Sequence, residues 1–240
     1  MINLLLDLII PQSQCCICRE PAKINSNQPW CDSCQQNMES LKDCLPICDK
    51  CGKYLETGDG FLCRECVNSS PPFHIARAVG PYQDSYRLAI KIFKFMGRKY
   101  FGTRMGQMMA AAVKDEPRFW PIDMVVPVPI SKGNLKQRGF NQTEVLGKQI
   151  ANKLRLKMDA HSLVRIKETP SQRELSREER EKNLLFAFAI KDKAKVYRKN
   201  ILLVDDVFTT GSTSRECTRV LLEGGAERVS VITWATGKGF

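Results

Sequence analysis

The sequence predicts an α/β fold, with a small cysteine-rich domain ahead of a sheet-and-helix body. Three observations carry this reading. Ile201 to Val204 is a short apolar run of the kind buried in a parallel sheet, and a helical pattern with Cys217, Val220, Leu221 and Leu222 follows it up to Gly224-Gly225. Ile122 to Val128 is a second buried strand, followed by a helix from Asn141 to Arg155. Ten of the eleven cysteines fall within residues 15–66, mostly as CxxC pairs.

A chain of 240 residues, 43% apolar and 26% charged, has room for one large domain or two smaller ones. The opening MINLLLDLII carries Asp7 inside its apolar run, has no basic start and is cut off by Pro11. It is read as a short helix packed on the body rather than as an export signal. The chain is accordingly read as cytoplasmic and without a transmembrane segment, recruitment to the inner face of the membrane being left open.

The cysteines form two units of one design. Cys15-x₂-Cys18 is followed after twelve residues by Cys31-x₂-Cys34, and Cys48-x₂-Cys51 after eleven residues by Cys63-x₂-Cys66. A CxxC pair in a tight turn presents two sulfurs to one tetrahedral ion, and two pairs complete the shell. In a cytosolic chain such spacing argues for two structural Zn²⁺ ions rather than disulfides. Spacing leaves open whether each unit holds its own ion or the pairs cross, and whether Cys16 or Cys44 substitutes as a ligand. So short a span has little core of its own, and the metal is expected to hold it.

Asn68 to Pro72 (NSSPP) is the expected boundary between a domain of residues 1–70 and one of residues 71–240. Beyond it come a strand from Ile75 to Tyr82, a helix from Asp84 to Met96 and a second helix from Gly102 to Lys114. In the first helix Leu88, Ile92, Phe95 and Met96 are expected to share the apolar face. Arg87, Lys91, Lys94 and Arg98 should then form a basic stripe opposite. The net charge is +11, which eight thiolates around two Zn²⁺ would lower to about +7. It is unevenly placed: residues 1–70 carry six basic and nine acidic side chains, residues 87–118 eight basic and two acidic. The stripe, rather than the cysteine units, is therefore the expected contact for nucleic acid, binding single-stranded DNA weakly and without sequence preference. A solvated helix face accounts for the same residues.

The last strand–turn–helix carries the chemistry. After Ile201–Val204 come Asp205 and Asp206, placed where the strand should end, and then a turn of Thr209, Thr210, Gly211, Ser212 and Thr213. Small residues at a helix start let the backbone approach a phosphate, and the N–H groups and dipole there favour the anion. Paired acids can accept hydrogen bonds from a vicinal diol such as a ribose. ILLVDDVFTTGST resembles the signature of type I phosphoribosyltransferases. That resemblance implies that Asp205 and Asp206 hold the ribose hydroxyls of 5-phosphoribosyl 1-pyrophosphate (PRPP), and that residues 209–213 cradle its 5′-phosphate. It also implies a doubly wound parallel sheet with the site at the strand carboxyl ends. Mg²⁺ would accompany PRPP, bridging the ribose hydroxyls and the pyrophosphate. The basic loop Ser131–Gly139 would receive the pyrophosphate through Lys132, Lys136 and Arg138.

PVPISKGNLKQRGFNQ, together with TPSQRELSREEREKNL and Ala187-Phe188, resembles the ComF family. Its members are zinc-ribbon, phosphoribosyltransferase-like proteins tied to natural competence and the use of external DNA, which makes other DNA-uptake proteins expected partners. In such a fold residues 167–183 form a hood that closes over substrate, with Arg173, Arg177 and Arg180 as candidate pyrophosphate contacts. An exposed helix laced with ion pairs explains these arginines as well. Leu184 to Ile190 is read as a strand and Lys191 to Lys199 as a surface turn. Thr209 stands where some relatives carry an aspartate base for a purine, so the sequence names neither base nor acceptor. Phosphoribosyl transfer, PRPP sensing without turnover, and a DNA-uptake adaptor with a vestigial pocket all remain open.

Overall fold

The computed structural model describes residues 14–21, 29–42, 46–55, 61–95, 100–167, 184 and 186–238. The N-terminal ten residues, Arg98, Cys44 and, apart from Lys167, the expected hood lie outside them. In chain order the elements begin with α1 (Asp32–Lys42), α2 (Arg64–Asn68), β1 (Ala76–Pro81), α3 (Asp84–Phe95), α4 (Tyr100–Asp115) and β2 (Met124–Pro127). There follow α5 (Lys132–Arg138), α6 (Gln142–Leu154), β3 (Lys157–Met158), β4 (Leu163–Arg165) and β5 (Phe188–Ile190). The last four are α7 (Lys193–Val196), β6 (Asn200–Phe208), α8 (Ser212–Glu223) and β7 (Arg228–Thr236).

A strand sends successive side chains to opposite faces, and both faces of the central strands are apolar. In β6, Leu202 and Val204 enter one core cluster while Ile201 and Leu203 enter the other. In β7, Ile232 and Trp234 divide from Val229 and Val231 in the same way. Such a sheet needs cover on both sides. One face receives α3, α4 and α6 through Tyr86, Phe93, Met105, Met109, Leu146 and Ile150. The other receives α8 through Cys217, Val220 and Leu221. The strands run parallel in the order β1-β7-β6-β2-β3, and β4 pairs with β5 in a separate antiparallel ribbon. The α/β architecture and the cysteine-rich N-terminal part are as the sequence predicts.

The two cysteine units pack on opposite faces at the β1 edge. Cys15, Trp30, Cys34 and Met38 join the cluster of α3 and α4, whereas Cys48, Cys51, Leu55, Cys63 and Cys66 join that of α8. The second unit also covers the outer edge of β1, where the Ala76 N–H donates to the Lys50 carbonyl at 2.9 Å. Gly52 makes this approach possible. Its φ is +70°, and a Cβ there would stand 2.6 Å from the Ala76 oxygen.

Several local expectations need correction. Residues 131–139 are a helix, not a loop: the Ser131 hydroxyl caps α5 by accepting from the Asn134 N–H, and Gly139 closes it in the left-handed conformation. The buried face of α3 is Tyr86, Ala89, Ile90 and Phe93 with Ile92, while Leu88 and Phe95 are exposed. The strand expected over Leu184–Ile190 begins only at Phe188, after Phe186 takes a φ of 60°. The surface turn after it holds the short helix α7, whose Val196 is buried. β6 runs on to Phe208, so Asp205 and Asp206 lie within the strand and not beyond its end.

Candidate functional site: the acid pair and the two cysteine clusters

The carboxyl end of β6 and the start of α8 build the first site. A strand-end position would open Asp205 and Asp206 to solvent, yet they are only 8% and 7% exposed. A buried carboxylate needs partners. Asp206 finds them at long range: Lys94 Nζ of α3 donates to its Oδ1 at 2.8 Å, and Gln142 Nε2 of α6 to its Oδ2 at 2.6 Å. The Asp206 backbone N–H donates to Asp205 Oδ1 at 2.8 Å. Burial, and then the adjacent Asp206 charge, push the Asp205 carboxyl up to about 7. The charges of Lys94 and Arg165 oppose that rise.

The turn that follows opens α8. Gly211, at a φ of 77°, is the N-cap of α8 and brings no side chain of its own, while the Thr210 hydroxyl accepts from the Ser212 N–H at 3.4 Å. A Cβ at Gly211 would stand 2.6 Å from the Phe208 ring, so the turn tolerates no larger residue without a shift. The hydroxyls of Thr210 and Ser212 are hydrogen-bonded at 2.8 Å. Gly211 and Ser212 are buried, Thr210 and Thr213 half-buried and Thr209 exposed.

The structure brings some of the predicted basic residues here and not others. Arg138 lies over the ring of Phe95, the residue after Lys94, at 5.4 Å. Lys132 is exposed at the start of α5. Arg173 and Arg180 lie outside the described residues. Of the basic stripe, Arg87 and Lys91 are exposed, but Lys94 turns inward to Asp206. A continuous surface stripe through Lys94 is therefore not what the helix presents.

Gln142 was part of a family block but had no assigned role. The signal lay in its position, one residue after the Asn141 N-cap of α6, whose side chain accepts from the Thr143 N–H. Glu216 was missed as well. Buried on α8, it accepts from the Phe186 N–H at 2.9 Å and from Arg219, and so fixes the chain where it enters β5.

The second kind of site is the pair of cysteine clusters. The sulfurs of Cys15, Cys18, Cys31 and Cys34 lie within 4.8 Å of one another, as do those of Cys48, Cys51, Cys63 and Cys66. Each unit thus gathers its own four ligands, which decides between separate and crossed pairing, and Cys16 belongs to neither cluster. Hydrogen bonding from Cys51 first, against the pull of burial, brings the Cys48 thiol down to about 4, while burial pushes Cys66 up to about 12. Four sulfurs so close repel one another as thiolates, and a cation at their centre relieves this. The donor set fits tetrahedral Zn²⁺. Among the described residues no helix is long and apolar enough to cross a membrane.

Residues 5–67 match the model of a double zinc ribbon domain. Competence protein F of Haemophilus influenzae is 30% identical over 223 residues, covering 91% of this chain and 94% of that protein. DNA utilization protein YhgH of Salmonella typhi is 29% identical over 221 residues, covering 90% and 94%. Among solved structures, glutamine PRPP amidotransferase from B. subtilis, complexed with ADP and GMP, aligns at 22% identity with a TM-score of 0.38. That alignment spans 55% of this chain and 25% of the amidotransferase. The match to competence protein F extends over nine-tenths of both chains, and by it this chain belongs to the ComF family.

Proposed function

We propose that the chain binds PRPP with Mg²⁺ and transfers its phosphoribosyl group to an acceptor, in the setting of natural competence or the use of external DNA. The observation that supports this most is the buried acid pair on the strand that leads, through residues 209–211, into a glycine-led helix start. In this reading Asp205 and Asp206 hold the ribose hydroxyls, and residues 209–213 hold the 5′-phosphate at the start of α8. Arg138, beside Phe95, faces the pyrophosphate. Lys94 and Gln142 each donate to one oxygen of Asp206, and the ribose hydroxyls would take the place of Lys94 there. Mg²⁺ would enter on the ligand's own oxygens and would neutralise the departing pyrophosphate. The acceptor's nucleophile attacks the anomeric carbon from the face opposite the leaving group. Positioning and charge neutralisation then carry most of the catalysis. The cysteine clusters hold Zn²⁺ as structural ions. Arg87 and Lys91 remain the exposed candidates for contact with single-stranded DNA.

Titration calorimetry with PRPP and Mg²⁺, followed by a pyrophosphate-release assay, tests the proposal. Binding with release is the expected result. Binding without release means a sensor, and neither means an adaptor in DNA uptake. The double change Asp205→Asn, Asp206→Asn should abolish PRPP binding in a protein whose melting transition shows it folded. Unchanged affinity there would sink the assignment.

A further inference from the structure

Lys94 is placed oddly for a residue of an amphipathic surface helix. Its neighbours on the polar side of α3, Arg87 and Lys91, are exposed. Lys94 instead reaches across 112 residues of sequence to Asp206, with its side chain 18% and that of Asp206 10% exposed. An ammonium in such a place is bound to its carboxylate by more than a surface pair would be, because neither group regains water easily. Gln142, the other partner of Asp206, carries no charge.

We propose that Lys94 makes the acid pair selective for sugars that carry an anion at C1, a role that rests on the PRPP reading above. A diol that takes Asp206 displaces Lys94 from its counter-ion. A ribose with a bare anomeric hydroxyl offers nothing in return, and the lysine is left without a partner in a largely dry site. In PRPP the pyrophosphate sits on C1, next to the carbon bearing the 2-hydroxyl. An ammonium leaving Asp206 is then one side-chain rotation from a new anion. Arg138, stacked at 5.4 Å on the next residue of α3, is a second cation held by the same helix end. Lys94 thus penalises ribose 5-phosphate and favours PRPP, while Gln142 stays in place and keeps the Asp206 carboxylate oriented.

The test compares wild type, Lys94→Met and Lys94→Arg, each titrated with PRPP and with ribose 5-phosphate in the presence of Mg²⁺. Wild type should prefer PRPP. In Lys94→Met the affinity for PRPP should fall by about tenfold or more, and that for ribose 5-phosphate should hold or rise. Lys94→Arg should restore most of the preference. A purely stabilising salt bridge would weaken both ligands together, and a folded Lys94→Met with the wild-type affinity ratio overturns the proposal. Should that variant not fold, wild type with ¹³C-methylated lysines gives an independent answer. The Lys94 signal should move to different positions with the two ligands, and identical positions overturn the role. A wild-type protein that binds PRPP but fails these tests loses only the assignment to Lys94. One that binds neither ligand loses the PRPP reading as well.

Discussion

The two cysteine units share a spacing almost residue for residue, yet they dock by opposite means. The first inserts a side chain. Trp30 is buried between Phe101 and Trp234, with ring centroids 6.2 and 6.1 Å away, and its indole N–H donates to Gln35. The second is held through backbone. Arg77 of β1 donates to the carbonyls of Cys48 and Asp49, while Lys50 accepts from the Ala76 N–H. Burial follows suit: all four ligands of the second unit are buried, but Cys18 of the first is exposed and Cys31 half-buried. CxxC spacing therefore encodes the ion, and the residues between the ligands, which do not repeat, encode the attachment.

Removing both ions should break the comparison altogether and have the largest effect. Each unit belongs to a core cluster of the sheet, so a strong chelator should cost the body its cooperative melting transition and not merely loosen residues 14–66. Hydrogen exchange across β1 and β7 would register this; full protection there after metal loss would refute it. Trp30→Ala should come next, lowering stability by about 3–5 kcal/mol in denaturant unfolding. By contrast Phe61→Ala in the second unit, at a residue 82% exposed, should stay within about 0.5 kcal/mol of wild type.

Arg77→Met probes the backbone-held unit. It removes the donor to the carbonyls of Cys48, Asp49 and Ala76 and the 3.0 Å partner of Glu116, but Glu116 keeps Arg118 at 2.6 Å. A loss of about 2–3 kcal/mol is expected, below that for a fully orphaned buried charge. A zinc-release assay should show the second ion leaving more readily while the first is retained.

The smallest effect is one of pH. Hydrogen bonds from Arg118 first, and then the charge of Arg77, hold the Glu116 carboxyl at about 2, below its ordinary 4.5. A depressed carboxylate adds stability above its unfolded value and loses it as pH falls through the folded one. The stability difference between wild type and Glu116→Gln should therefore shrink as pH drops from about 4.5 to about 2. Trp30→Ala, which removes no charge, should show a pH-independent deficit in the same melts.

Local pattern made much of this legible. The run Ile201–Val204, the turn at 209–213 and the stop at Gly224-Gly225 all sit where the sequence places them. What it could not show is the long-range pairing that decides burial. Asp205 and Asp206 look like strand-end groups because nothing nearby in sequence could neutralise them. Their partners, Gln142 and Lys94, stand 64 and 112 residues away. The α5 helix was hidden for a different reason, since Gly133 and Asn134 are poor helix formers and the caps Ser131 and Gly139 decide the outcome. On α3 the apolar face was misplaced because Leu88 and Phe95 look like core residues, whereas the sheet takes Tyr86, Ala89, Ile90 and Phe93.

The contact between Lys50 and Ala76 reaches beyond stability. A sheet's outermost strands present unpaired N–H and C=O groups on which another chain can build, and folded proteins blunt them. Here one outer strand, β3, is two residues long and includes Lys157. The other, β1, is six residues of mostly buried, largely uncharged sequence. The turn of the second cysteine unit meets its margin at Ala76. Zinc held by that unit would then guard against self-association, and metal-stripped protein should aggregate through residues 76–81, with light scattering rising as zinc leaves and falling when it is restored.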